Sequence, residues 1–174
     1  PFYFVQIAPY NYGDNDAIAS AQLRDAQRKT LSLTNTGMAV TLDIGNTQNI
    51  HPANKQDVGK RLALGALAKD YNQTNLVYSG PIFSGFTIQA DEIRIAFRHD
   101  KGLHSVGEKL VGFEIAGEDG LFLPAKATFD EDIISVSHPK IKSPKAVRYA
   151  FKNSSTATLF NGAGLPASSF STEE

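Results

Sequence analysis

Met38 to Tyr71, MAVTLDIGNTQNIHPANKQDVGKRLALGALAKDY, is the stretch on which the reading of the fold turns. Residues 38–44 are a short apolar run with several β-branched side chains, bounded by Gly37 and Gly45, and they predict a buried strand. A polar loop then leads to His51-Pro52 and into a long amphipathic segment. Open α/β sheets place their chemistry just beyond the carboxyl ends of strands, so a histidine between strand and helix stands where a general base is expected. Pro52 suits the first turn of that helix, where its missing N–H has no partner to lose. Val58, Leu62, Ala66 and Leu67 predict a core-facing stripe. Gly59 and Gly65 each weaken the helix by about 1 kcal/mol relative to Ala, which predicts close approach to a neighbouring element.

Working outward, residues 2–8 are apolar almost without interruption, as a buried strand of a parallel sheet would be. Pro9-Tyr-Asn-Tyr-Gly13 breaks that run at what would be a carboxyl end. Tyr10, Asn11 and Tyr12 either line a cleft there or form an ordinary turn with packed tyrosines. Asp14 or Asp16 can cap a helix over 17–31, with Ala19, Leu23, Ala26 and Thr30 on its packed face. Arg24, Asp25, Arg28 and Lys29 then fall on a solvated face, with Asp25 and Arg28 spaced as an i,i+3 pair.

Beyond residue 75 the periodicity changes. Short strand-like runs occupy 85–89, 92–97, 110–116, 126–129, 133–137 and 146–151, separated by turn signals such as Ala90-Asp91 and Glu118-Asp-Gly120. This spacing predicts an antiparallel sandwich or jelly-roll-like module over 76–174, following an α/β segment over 1–75. The tail 165–170 is expected to be extended and docked.

The 174 residues are 41% hydrophobic with a formal net charge of −1. That is enough for one full domain, or part of one plus a smaller second. No basic run is long enough to track a phosphate backbone, so nucleic acid is not an expected partner. No stretch approaches the ~20 apolar residues of a membrane span, and zero cysteines exclude disulfides and thiolate metal sites within the chain. Because Pro1 begins inside an apolar run, the chain is expected to be the C-terminal portion of a larger protein. Asn72-Gln-Thr74 and Asn153-Ser-Ser155 match the glycosylation pattern. His99, His104 and His138 fall at turn-like positions of the β-rich half and read as surface histidines; His99 and His104 are five apart with no flanking carboxylate at ligand spacing, so no metal site is expected.

DIGN, NIHP and VGKRLALGALAKDY, together with PFYFVQIAPYNYG, LRDAQRKTL, GFEIAGEDG, AVRYAFKN and LFNGAGLPASSF, resemble the sialate O-acetylesterases, relatives of the SGNH hydrolases. The resemblance implies the C-terminal part of a three-layer, SGNH-hydrolase-like parallel sheet followed by an all-β sandwich. It implies a serine esterase that removes O-acetyl groups from carbohydrates without a cofactor, acting on sialic acid or on plant polysaccharide sugars. It places the enzyme in a secreted, periplasmic or lysosomal setting. The nucleophilic serine of such enzymes lies in a Gly-rich motif that these residues do not contain, so an upstream half would supply it. His51 would be the base. SGNH hydrolases typically carry an aspartate three residues before that histidine, where this chain has Gln48, with Asn49 next. Asp43, the only carboxylate between the predicted strand and His51, is then the candidate orienting acid. The alternatives are that it caps a turn, or that another group orients the histidine. Asn11 and Tyr12 would contact the sugar. Tyr149 and Phe151 belong either to a sandwich core or to a sugar-stacking surface, and the rival reading, an inactive carbohydrate-binding module, places them on its binding face.

Overall fold

In the computed structural model, which describes residues 1–14, 17–107 and 109–173, the chain opens with strand β1 (Phe2–Val5), helix α1 (Ala19–Lys29), strand β2 (Thr36–Ala39) and helix α2 (Lys55–Lys69). β1 and β2 are parallel neighbours, in register from Phe2 against Thr36 to Val5 against Ala39, so α1 is the crossover of a βαβ unit. β2 starts two residues before the predicted run and stops at Ala39. Beyond it the Thr41 hydroxyl donates to the Gln6 carbonyl at 2.7 Å, and the Ile44 N–H donates to the Thr41 carbonyl at 3.3 Å, which closes a turn.

α1 corrects the expectation for its two faces. Leu23, assigned to the packed side, is 47% exposed, whereas Arg24 and Asp25, assigned to solvent, are buried. The reason lies in the rest of the chain. Arg24 Nε donates to the Ser169 hydroxyl at 3.0 Å, and its terminal nitrogen donates to the Ala150 and Lys152 carbonyls. Asp25 is clasped by Arg28 at 2.8 Å and Lys29 at 3.1 Å. Burial pulls the Arg24 guanidinium down to about 10, which leaves it charged at neutral pH. Nor does Asp14 cap the helix, and Asp16 lies outside the described residues. Ile18 occupies the cap position and offers no acceptor. Asn153, 133 positions along the chain from Ser20, supplies it instead: its Oδ1 accepts the Ser20 N–H at 2.9 Å and the Ser20 hydroxyl at 2.7 Å.

α2 is capped by Asn54, whose Oδ1 accepts the Asp57 N–H at 3.1 Å. Pro52 therefore stands ahead of the helix and not in its first turn. Val58, Leu62, Ala66 and Leu67 are only half-buried, so the expected core stripe is a partly covered face. Gly65 does mark a close approach: a Cβ there would lie 3.3 Å from Cε1 of Tyr3, whose ring is wedged between Gly65 and Gly37. Gly59 has no such neighbour.

The β-rich part comprises β3 (Ile82–Gln89), β4 (Glu92–Arg98), β5 (His104–Ser105), β6 (Phe113–Ala116), β7 (Leu123–Pro124), β8 (Lys126–Asp130), β9 (Ile133–Ser137), β10 (Ala146–Tyr149), β11 (Leu159–Phe160) and β12 (Phe170–Ser171). Two antiparallel four-stranded sheets run in the orders β3-β4-β9-β8 and β12-β10-β6-β7, with β11 and β5 as a separate pair. Alternate residues of both larger sheets meet in one apolar cluster, including Ile93, Ile95, Ile134 and Val136 from one and Ile115, Val147, Tyr149 and Phe170 from the other. Val40 and Leu42 join that cluster, so the segment leaving β2 is packed against the β-rich part. The tail is docked as expected: β12 pairs with β10, and Ser168 and Ser169 are buried.

Candidate active site

Two loops leave the carboxyl ends of β1 and β2 side by side. Pro9 on the first lies against Gly45 on the second, where a Cβ would come within 2.5 Å of the proline Cδ. Only glycine allows that approach. The Asn11 N–H donates to the Thr47 carbonyl at 2.9 Å and stitches the loops together. The Asn11 side chain folds back to accept the Gly13 N–H at 2.9 Å, and the Tyr12 ring meets Tyr10 edge-on at 4.8 Å. Tyr12 remains half-exposed.

On the second loop the backbone is shaped by consecutive asparagine turns. Asn46 Oδ1 accepts the Gln48 N–H at 2.9 Å, and Asn49 Oδ1 accepts the His51 N–H at 2.9 Å. These bonds hold the His51 main chain while leaving its imidazole exposed, and no hydrogen-bond partner for the ring occurs among the described residues. The structure thus brings Asn11 and the His51 loop together through main-chain contacts.

It does not bring Asp43 to His51. Asp43 lies in the turn after β2, and both of its carboxylate oxygens are taken by Arg61 of α2, at 2.7 and 2.6 Å. Arg61 also donates to the Val40 carbonyl at 2.6 Å. This bidentate pair, with side chains 10% and 16% exposed, gives both oxygens of Asp43 a charged, geometrically matched partner. Arg61 escaped the sequence reading because it sits on a helix face that looks solvated in one dimension.

The aromatic residues assigned to a glycan-binding face are also relocated. Tyr149 is fully buried, and its hydroxyl oxygen accepts the Thr158 N–H at 2.9 Å and the Leu159 N–H at 3.0 Å. Burial pushes its phenol up. Phe151 is likewise buried. Neither ring is available to stack on a sugar, so the binding-module reading loses the surface on which it relied. Asn153 is 3% exposed, which removes it as a glycosylation acceptor and turns it into an internal hydrogen-bonding residue. In the sequence it stood out only through that sequon match and as the last residue of AVRYAFKN. Asn72 lies on the surface with a left-handed φ of 56°.

Among the described residues no group of three or more His, Asp or Glu side chains is placed to hold a metal ion, and no helix is long and apolar enough to cross a membrane. A cavity of about 90 Å³, lined by Tyr3, Arg61, Lys69, Tyr78, Arg98 and His99 among others, also touches Gly37 and Met38 of β2 and does not include His51.

No family model matches the chain. It is 29% identical to mouse (Mus musculus) sialate O-acetylesterase over 126 residues, which is 67% of this chain and 23% of that protein. The figures for the rat (Rattus norvegicus) sialate O-acetylesterase are the same. The chain therefore spans about a quarter of the length of these curated relatives. The crystal structure of a carbohydrate acetylesterase from Xanthomonas citri superposes with a TM-score of 0.93 at 41% identity, covering 99% of this chain and 41% of that one.

Proposed function

This chain is related to the sialate O-acetylesterases, and from that relationship we propose that it forms the C-terminal portion of a serine esterase that removes O-acetyl groups from carbohydrates. Residues 1–75 would complete a three-layer parallel sheet begun upstream, and residues 76–174 would form the β-sandwich beside it. The observation that carries the proposal is the stitching of the two strand-end loops, Asn11 to Thr47, beside an exposed His51 with a free imidazole. A general base needs an accessible ring on a fixed main chain, and the asparagine turns leave His51 in that condition.

In the proposed reaction, an upstream serine hydroxyl attacks the acetyl carbonyl while His51 takes its proton. The new bond joins serine oxygen to acyl carbon, the bond to the sugar oxygen breaks, and His51 returns the proton to that departing oxygen. Water repeats the sequence on the acyl-enzyme and releases acetate. Asn11 and Tyr12, on the adjoining loop, would face the sugar. Sialic acid and acetylated plant polysaccharide sugars are the candidate substrates, and a secreted, periplasmic or lysosomal setting fits both. Asp43 is assigned to holding Arg61, and the group that orients the imidazole is sought in the upstream half.

Acetate release by the complete protein tests this directly. His51→Ala should lower turnover by several orders of magnitude while thermal unfolding stays near wild type, because the ring has no partner to lose. Turnover comparable to wild type would remove His51 from the mechanism.

A further inference from the structure

We infer that Asn153 is a positioning residue for the candidate active site: through it, the loop 152–158 of the β-rich part holds the two loops that meet at Asn11 and Thr47, the second of which carries His51. The inference rests on the esterase reading for its kinetic consequence and on the geometry alone for its structural one.

One short loop grips three elements. Asn153 Oδ1 caps α1 by accepting from the Ser20 N–H and hydroxyl, and the Asn153 N–H donates to the Ala17 carbonyl at 2.9 Å. The Asn153 carbonyl accepts the Tyr10 N–H at 3.1 Å, one residue before the Asn11 N–H that binds Thr47. Further along, the Ala157 N–H donates to the Leu42 carbonyl at 3.3 Å, at the base of the turn that leads to the His51 loop. Behind these contacts, the Lys152 carbonyl is bound by the buried Arg24 and the Lys152 N–H donates to the Ser155 hydroxyl at 3.1 Å.

The Asn153 side chain matters most because its acceptor ties this loop directly to the start of α1 and can be deleted by a substitution without touching the main chain. Without Oδ1, a buried Ser20 N–H and hydroxyl lose their acceptor, and leaving such groups unpaired is unfavourable enough to drive the loop to a new position or to admit water. The Asn153 carbonyl would move with it, then Tyr10, then the Asn11 to Thr47 bond. Misplacing a catalytic group by about 1 Å can lower turnover by roughly 10²-fold. An asparagine acting only as a helix cap would affect stability and leave the His51 loop alone.

The test uses the intact protein with three substitutions, read by acetate-release kinetics, thermal unfolding and amide hydrogen exchange over residues 45–51. Asn153→Ala should lower kcat by about 10²-fold with KM within about threefold, and should speed exchange at the Asn49 and His51 amides. Asn153→Asp keeps the acceptor and should remain within about threefold of wild type. Ile95→Val, a buried change in β4 outside both loops, should lower Tm without either effect. Wild-type exchange over 45–51 in Asn153→Ala, or a kcat loss that Ile95→Val reproduces, overturns the inference. If Asn153→Ala does not fold, Asn153→Ser, whose hydroxyl falls one atom short, is judged on the same readouts. If the wild-type protein releases no acetate, the esterase reading fails and the exchange result alone decides the positioning role.

Discussion

Both oxygens of Asp43 are held by one guanidinium, which gives the carboxylate a structural role in tying the turn after β2 to α2. A carboxylate at the C-terminal end of a predicted strand and close in sequence to a histidine reads as half of a catalytic pair. In three dimensions Arg61, 18 positions away along the chain, reaches it first. The pair is mostly shielded but not fully buried, so the 3–5 kcal/mol typical of breaking a buried ion pair is discounted to about 2 kcal/mol. Asp43→Asn should therefore lower stability by about that amount, measured as a shift of the urea midpoint. Its kcat should fall far less than that of His51→Ala. A large kcat loss at unchanged stability would return Asp43 to the catalytic machinery.

The β-hairpins show how elements impose conformations that their residues do not prefer. β3 and β4 pair through Gln89 and Glu92, leaving Ala90-Asp91 as a two-residue loop, and β8 and β9 pair through Asp130 and Ile133 around Glu131-Asp132. Such loops follow the right-handed twist of the strands by adopting positive φ, here 53° at Ala90 and 55° at Glu131. A non-glycine residue in that region is disfavoured by about 1–2 kcal/mol, partly offset by the extra unfolded-state freedom of glycine, about 0.4–1 kcal/mol. Ala90→Gly should thus stabilise the protein by about 0.5–1 kcal/mol, visible as a higher Tm with unchanged secondary structure.

At the scale of the whole molecule, the parallel pair leaves one edge of β1 without a strand neighbour among the described residues. Gln27 of α1 covers part of it, with its side chain accepting the Ile7 N–H at 2.9 Å and donating to the Val5 carbonyl at 3.3 Å. The Tyr3 main chain faces the same side, and Phe2 and Leu33 are 64% and 63% exposed nearby in the βαβ unit. Open strand edges beside apolar surface invite association. Under the proposed function, this chain expressed alone should be poorly soluble and inert to a fluorophosphonate probe. Co-expression with the upstream half should restore solubility and place the label on that half. Labelling of a serine within this chain would show that the division of labour is wrong.

The family resemblance and the succession of an α/β unit by short antiparallel strands were legible in one dimension, because a continuous apolar run and a change of period depend only on neighbouring residues. The strand 133–137 was bounded to the residue, and the His51 loop was located by its place between strand and helix. What tertiary structure alone decided were the partners of polar groups. Arg24 is buried because Ser169, Ala150 and Lys152 come to it, Asn153 caps a helix whose start lies far upstream in sequence, and Asp43 belongs to Arg61. A hydrogen bond needs one particular atom within about 3 Å, and only the folded chain determines which residues arrive there.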